Sequence, residues 1–168
     1  MNKTISWSFF EHENWKFYVA ATSKGLCYVG SPNSSFNELR DWASHHFLHA
    51  ELVEDTTLLQ NYKTELREYF QGKREIFTFP VDVHGTEFQQ QIWNALNQIP
   101  YGETCTYSQI AEMIHRPSAI RAVGTAIGAN PVLITIPCHR VIGKNGALTG
   151  YRGGLDVKKE LLRLEKSH

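Results

Sequence analysis

Cys138, His139 and Arg140 stand side by side in the stretch ITIPCHRVIGKNGALTGY, residues 134–151. A thiol attacks as its thiolate, and imidazole is the side chain best suited to take the proton near neutral pH. Adjacent residues of an extended chain point to opposite faces, so from a continuous strand His139 would not reach the Cys138 sulfur. Either the chain turns at Pro137 or a water carries the proton between them. A basic imidazole also needs a partner that fixes its tautomer. Glu165, expected on the inner face of the last helix, can supply it, which gives a Cys–water–His–Glu relay. Such a relay predicts a Cys138 pKa below the free value of about 8.5. A purely structural cysteine is the alternative that the Pro-Cys-His-Arg string leaves open.

The other thiols carry no such signal. Cys27, Cys105 and Cys138 are three in number and far apart, so no disulfide framework is expected and at least one thiol stays free. Cys27 lies in a strand-like apolar context. His45, His46 and His49 share a helix, but without a matching Cys/His pattern nearby no metal site is expected.

The elements that must position these residues fall into two halves. TISWSFF, WKFYVAAT and GLCYVG read as strands, with a turn at Ser23-Lys24-Gly25. FNELRDWASHHF and LLQNYKTELREYF have helical apolar spacing, with Gly72 placed as a C-cap, and IFTFPVDV is extended. From Gly85, GTEFQQQIWNALNQIP aligns Phe88, Ile92, Leu96 and Ile99 before Pro100 stops the helix. TYSQIAEMIHRPSAIRAVGTAIGAN reads as two short helices in a helix-turn-helix. In the second of them Ile120, Val123 and Ile127 are expected to face the core. Arg121 and Thr125 fall opposite, among Ala122, Gly124 and Gly128. Small residues with one arginine would let a backbone approach something anionic; tight helix packing is the other reading. PVLITI is expected as a buried strand, and LDVKKELLRLEKS as a helix with Leu155, Leu162 and Glu165 on one face. The class is therefore α/β (α+β). Residues 1–84 form a small N-terminal α+β domain, and residues 85–168 a mostly helical C-terminal domain with the helix-turn-helix and the cysteine.

The chain has 168 residues, 42% hydrophobic and 20% charged, as a globular protein with a real core would. No apolar run approaches the roughly 20 residues that span a bilayer, and MNKTISWSFFEHENWK lacks a secretory signal's apolar core. A cytoplasmic protein with no membrane partner is expected. Formal net charge is zero, yet residues 1–84 carry 8 Lys/Arg against 11 Asp/Glu, and residues 116–168 carry 9 against 3. A local basic face is all that phosphate attraction needs, although a solvated surface explains it as well.

These residues also carry a resemblance. GTEFQQQIWNALNQIPYGETCTYSQIA, RAVGTAIGANP, IPCHRV and GYRGGLDVKKELLRLE together resemble the O6-alkylguanine-DNA alkyltransferases, or methylated-DNA–protein-cysteine methyltransferases. The first half matches more loosely, through GLCYVGS and the helix that follows. The resemblance implies a monomer, needing no cofactor, that binds double-stranded DNA carrying O6-alkylguanine through the minor groove. It implies a nucleotide flipped into the protein and an alkyl group passed irreversibly to Cys138, from O4-alkylthymine also. By match, His139 is the base acting through water and Glu165 its partner. Arg121 fills the vacated stack, Tyr107 contacts the flipped guanine, and Asn130 joins the helix-turn-helix to the active-site strand. Val141, Tyr151 and Arg152 line the base pocket, and Lys158 steadies charge developing on the guanine.

Departures from the family pattern bear on this. Relatives with tryptophan in place of the cysteine bind lesions without repair, whereas this chain has Cys138. The N-terminal cysteine that helps some members hold a structural zinc has no counterpart. Arg152 stands where a small residue is common, which leaves the range of accepted alkyl groups open. Two other classes remain to be separated: a non-catalytic lesion sensor, and a small cysteine hydrolase using Cys138 and His139.

Overall fold

The computed structural model describes residues 3–167. Contacts divide the chain into two compact units, which meet in sequence between His84 and Gly85.

The first unit is built on a four-stranded sheet in the order β3-β2-β1-β4. Strands β1 (Thr4–His12), β2 (Trp15–Thr22) and β3 (Gly25–Val29) run antiparallel to their neighbours, and β4 (Glu51–Glu54) pairs parallel with β1. Helices α1 (Phe36–His46) and α2 (Thr56–Phe70) complete the unit. Alternate residues of β1 serve the two helices, as the pleat requires. Ile5 joins Leu39 and Ala43 of α1 in one buried cluster, and the Trp7 ring lies 4.7 Å from that of Phe36. On the other side Ser8 bonds Thr56, and the Phe10 ring lies 5.7 Å from that of Phe70 at the end of α2. The extended segment after α2 returns along β3. Leu26 N–H donates to the Pro80 carbonyl at 3.0 Å, and Asp82 N–H to that of Leu26 at 2.8 Å. Glycine is required at position 25, because a Cβ there would sit 2.6 Å from the Pro80 oxygen.

The second unit holds helices α3 (Glu87–Leu96), α4 (Tyr107–Met113), α5 (Ile120–Gly128) and α6 (Leu155–Ser167), with a two-stranded parallel ladder of β5 (Cys105–Thr106) and β6 (Val141–Ile142). Thr86 and Thr106 each close a capping box, with Gln89 and Gln109 three residues on, so α3 and α4 start where the local chemistry says they should. Trp93 Nε1 donates to the Ala126 carbonyl at 2.9 Å and pins α5 to α3. The mixed α+β fold is the one expected. No helix among the described residues is long and apolar enough to cross a membrane.

Several local expectations change, and His49, expected on the helix with His45 and His46, lies beyond the end of α1 at φ +61°. The buried face of α5 is Val123, Ala126 and Ile127, while Ile120 is exposed. The buried face of α6 is Lys158, Leu161 and Glu165, with Leu155 exposed. Both misplaced residues are the first of their helices, where the helix has only begun to pack. Residues 131–136 are mostly buried and carried by bends and turns, with Val132 alone in a β-bridge, and do not form the expected strand. A short apolar run has the same pattern in either case.

Candidate functional site

The turns leading to Cys138 are held by one side chain. Asn130, just past the end of α5, is almost wholly buried. Its Oδ1 accepts from Val132 N–H at 2.9 Å, and its Nδ2 donates to the Ile136 carbonyl at 2.9 Å and to Cys138 Sγ at 3.2 Å. The amide thus supplies the partners that a sheet would have supplied. Within the loop two three-residue turns follow in succession. Thr135 N–H reaches the Leu133 carbonyl at 2.7 Å around Ile134, whose φ is +72°. Cys138 N–H reaches the Ile136 carbonyl at 2.7 Å around Pro137, at φ −80° and ψ 61°. Cys138 then opens a single 3-10 turn, Cys138–Arg140. The chain does turn at Pro137, yet no hydrogen bond joins His139 to Cys138 Sγ among the described residues, so the water route stays open.

That turn buries two basic side chains around one carboxylate. His139 Nε2 lies 2.7 Å from Glu165 Oε2, and Arg140 donates to both Glu165 oxygens, from Nε at 2.9 Å and from Nη2 at 3.0 Å. Arg140 Nη1 also donates to the Ile99 carbonyl at 2.8 Å, and its guanidinium lies 5.7 Å from the Tyr101 ring centre. Glu165 is only 3% exposed, so it is not the surface acid that a glutamate in a terminal helix commonly is. With Nε2 engaged by a carboxylate, Nε2 carries the proton and Nδ1 keeps its lone pair. Among the described residues Nδ1 is buried and without a hydrogen-bond partner. Burial lowers the His139 pKa against the pull of Glu165 in the other direction, so the ring rests neutral and able to accept a proton.

Burial also pushes the Cys138 thiol up, against the Asn130 hydrogen bond and the positive charges of Arg152 and Lys158. The lowered pKa expected for the resting protein is therefore corrected: desolvation outweighs the nearby donors and cations. The thiol waits in its neutral form.

The remaining expected residues sort by place. Lys158 is fully buried and its Nζ donates to the Thr149 carbonyl at 2.8 Å; burial lowers its pKa. Arg152 does not stand free in the loop, because its Nη2 donates to the Asn130 and Pro131 carbonyls at 3.2 Å each. Tyr151 lays its ring over Gly153, where a Cβ would come within 2.7 Å. Its buried hydroxyl has no partner among the described residues, and burial with the neighbouring Cys138 raises its pKa well above the usual phenol value. Val141 is buried and pairs with Cys105 in the small ladder. Tyr107 starts α4, and its hydroxyl accepts from Thr149 Oγ1 at 3.2 Å. Arg121 is on α5, outside the turn that carries Cys138. It lies exposed on α5 beside an open groove of about 630 Å³, shared with Thr86, Phe88 and Gln89 at the start of α3. The Asn130 side chain ties the end of α5 to the turn that carries Cys138, where a strand was expected. Arg140 is the member that sequence reasoning passed over; the signal was a basic residue inside a stretch otherwise apolar enough to be buried. Among the described residues no three His, Cys, Asp or Glu side chains gather as a metal site would need.

Known proteins match both units. The family model "6-O-methylguanine DNA methyltransferase, DNA binding domain" matches residues 87–167, and its "ribonuclease-like domain" counterpart matches residues 5–83. The inducible methylated-DNA–protein-cysteine methyltransferase of Bacillus subtilis (strain 168) is 56% identical over 163 residues, covering 97% of this chain and 91% of its own. The chain belongs to the methylated-DNA–protein-cysteine methyltransferases. Among solved structures, the Mycobacterium tuberculosis O6-methylguanine methyltransferase has a TM-score of 0.84 at 37% identity, covering 97% of this chain and 93% of that one. The M. tuberculosis protein in complex with DNA has a TM-score of 0.80 at 36% identity, covering 98% and 93%. Within this methyltransferase family the buried cysteine, imidazole and carboxylate become the place to look for chemistry.

Proposed function

We propose that the protein repairs alkylated DNA by taking the alkyl group of O6-alkylguanine on to Cys138 Sγ, once per molecule. The carrying observation is the thiol held by Asn130 beside a neutral imidazole whose tautomer Glu165 sets. The thiol proton passes through a water to His139 Nδ1. The Sγ–carbon bond forms as the carbon–O6 bond breaks, and the guanine leaves as its anion. The guanine anion is protonated as His139 gives its extra proton back to water, so thiol and alkylguanine become thioether and guanine with no net charge created. Lys158 and the Tyr151 hydroxyl are the donors suited to steady the anion, and Val141 and Arg152 close the pocket. O4-alkylthymine offers the same electrophilic carbon on an oxygen of similar placement. The product is a thioether with no good leaving group, which makes the reaction irreversible.

O6 is enclosed in the duplex, so the base must leave the stack, at a cost of a few kcal/mol that is least for a badly paired lesion. The small exposed residues of α5 suit close approach through the minor groove, with Arg121 filling the gap and Tyr107 beside the flipped base. The protein is expected to act as a monomer in the cytoplasm.

Intact-protein mass after incubation with duplex carrying O6-methylguanine tests this reading. One methyl per chain on Cys138 is expected, and none on Cys138→Ser, which should still bind the duplex because a hydroxyl has too little anion character to react. Binding without a mass change would make the chain a sensor, and product accumulating beyond one per chain would make it a hydrolase.

A further inference from the structure

Ile120, expected in the core, is 43% exposed as the first residue of α5. The helix packs through Val123, Ala126 and Ile127, and the residues exposed beyond Arg121 are small: Ala122, Thr125 and Gly128. A large branched hydrocarbon on such a surface stands out by size and polarity at once.

Its position has a direction. One turn along from Ile120, Gly124 presents its bare Cα to Tyr107, and a Cβ built there would meet the ring at 3.9 Å. Tyr107 is bonded to Thr149, and Thr149 to Lys158, so this side of the helix leads to the loop that carries Tyr151 and Arg152. Arg121 is about 100° further round the helix axis. It looks instead into the groove shared with the start of α3. The two side chains stand on one turn of helix and face different sides of it.

On the alkyl-transfer reading above, we propose that Ile120 is an apolar wedge for the duplex. It enters the minor groove on the pocket side, at the base step next to the extruded nucleotide, while Arg121 occupies the vacated stack. Apolar side chains inserted at a base step unstack it and open the duplex, which an arginine alone does through charge and hydrogen bonds. A β-branched residue suits the task because its χ1 is already confined in a helix, so little side-chain freedom is lost on insertion. The contribution comes from apolar burial and releases no counterions.

The test is single-turnover transfer from duplex and from free O6-methylguanine by the wild type, Ile120→Ala, Ile120→Leu and Arg121→Ala. Ile120→Ala should slow the duplex reaction about tenfold, by loss of the wedge. It should leave the free-base reaction at the wild-type rate, and Ile120→Leu should restore most of the duplex rate. The defect of Ile120→Ala should be the same at low and high salt, whereas that of Arg121→Ala should change with salt. The wild type should also work faster where the lesion adjoins a flexible pyrimidine–purine step, and Ile120→Ala should lose that preference. Duplex transfer by Ile120→Ala at the wild-type rate would overturn the wedge and leave the transfer reading standing. Equal losses on duplex and free base would overturn it too, by making Ile120 part of the fold. A wild type that takes no alkyl group from either substrate would instead overturn the reading on which the wedge rests.

Discussion

At the scale of single residues the site turns on which group holds which proton. Cys138 is protonated at rest because burial outweighs its donors, and His139 is neutral for the same reason. The transfer rate should therefore fall as pH drops through the lowered pKa of His139, since the ring must be unprotonated to act. His139→Ala should lose about a hundredfold or more at neutral pH. It should recover as pH rises, because thiolate then forms unaided. Glu165→Gln is predicted to show a weaker defect of the same kind in transfer, since an amide still positions the ring. Arg140 adds a consequence for stability: without Glu165 its buried guanidinium loses its counter-charge, at a cost of about 3–5 kcal/mol. A pH–rate profile measured beside urea unfolding checks both. A Glu165→Gln protein with wild-type stability and a wild-type profile would end the relay at the histidine. The Cys-His pair and Glu165 were legible in the sequence, since a thiol beside an imidazole is a recognisable pairing and Glu165 falls on a readable helix. Arg140 was not, because a basic residue beside a histidine gives no sign of where its charge is answered until the turn is formed.

At the scale of elements, the loop from Asn130 to Cys138 is where the sequence pattern and the structure part. Pattern alone cannot separate a buried strand from a buried run of turns, and the deciding group is an asparagine side chain that substitutes for a sheet partner. The helices were easier: two capping boxes, a stop at proline and apolar spacing are all local signals. Helix-first residues such as Ile120 and Leu155 escape that spacing, as they precede the turns that pack. The loop also holds strain. Ile134 is a β-branched residue at φ +72°, in the rare positive-φ form of the three-residue turn. An L-residue in such a conformation costs roughly 1–2 kcal/mol, a cost that glycine escapes. Ile134 and Ile136 are both buried, at 2% and 1% exposure, so truncating either loses a similar hydrocarbon. Ile134→Gly should then be about 1–2 kcal/mol less destabilising than Ile136→Gly, because only the first substitution relieves strain. Chemical denaturation of the two variants measures this directly, and equal losses would mean that the turn is unstrained.

At the scale of the whole molecule, the two units carry separate cores, and each encloses a thiol. The one in the first unit, Cys27, lies in the cluster of Ile5, Tyr28 and Leu39 and stands outside the proposed relay. Burial, with the negative charge of Asp82 behind it, pushes its pKa up to about 12 from an ordinary 9.0. The sign of the effect follows from proton counts. Between those two values the unfolded chain has released the thiol proton and the folded chain has kept it. The folded state therefore binds more protons, and stability falls as pH rises. The contribution is fully present below about pH 8 and shrinks by about 1.4 kcal/mol per pH unit above the unfolded pKa. Cys138 adds to the slope in the second unit. Three of the four tryptophans, Trp7, Trp15 and Trp42, belong to the first unit, so fluorescence-detected urea unfolding reports mainly on it. Cys27→Ala should be less stable than the wild type at pH 8, by about 1 kcal/mol for the lost side chain. Its stability should nevertheless fall less steeply between pH 8.5 and pH 10.5, roughly the window in which an ordinary thiol titrates. Parallel slopes for the two proteins would show that Cys27 reaches water in the folded state, and that the first unit's core is looser than its packing implies.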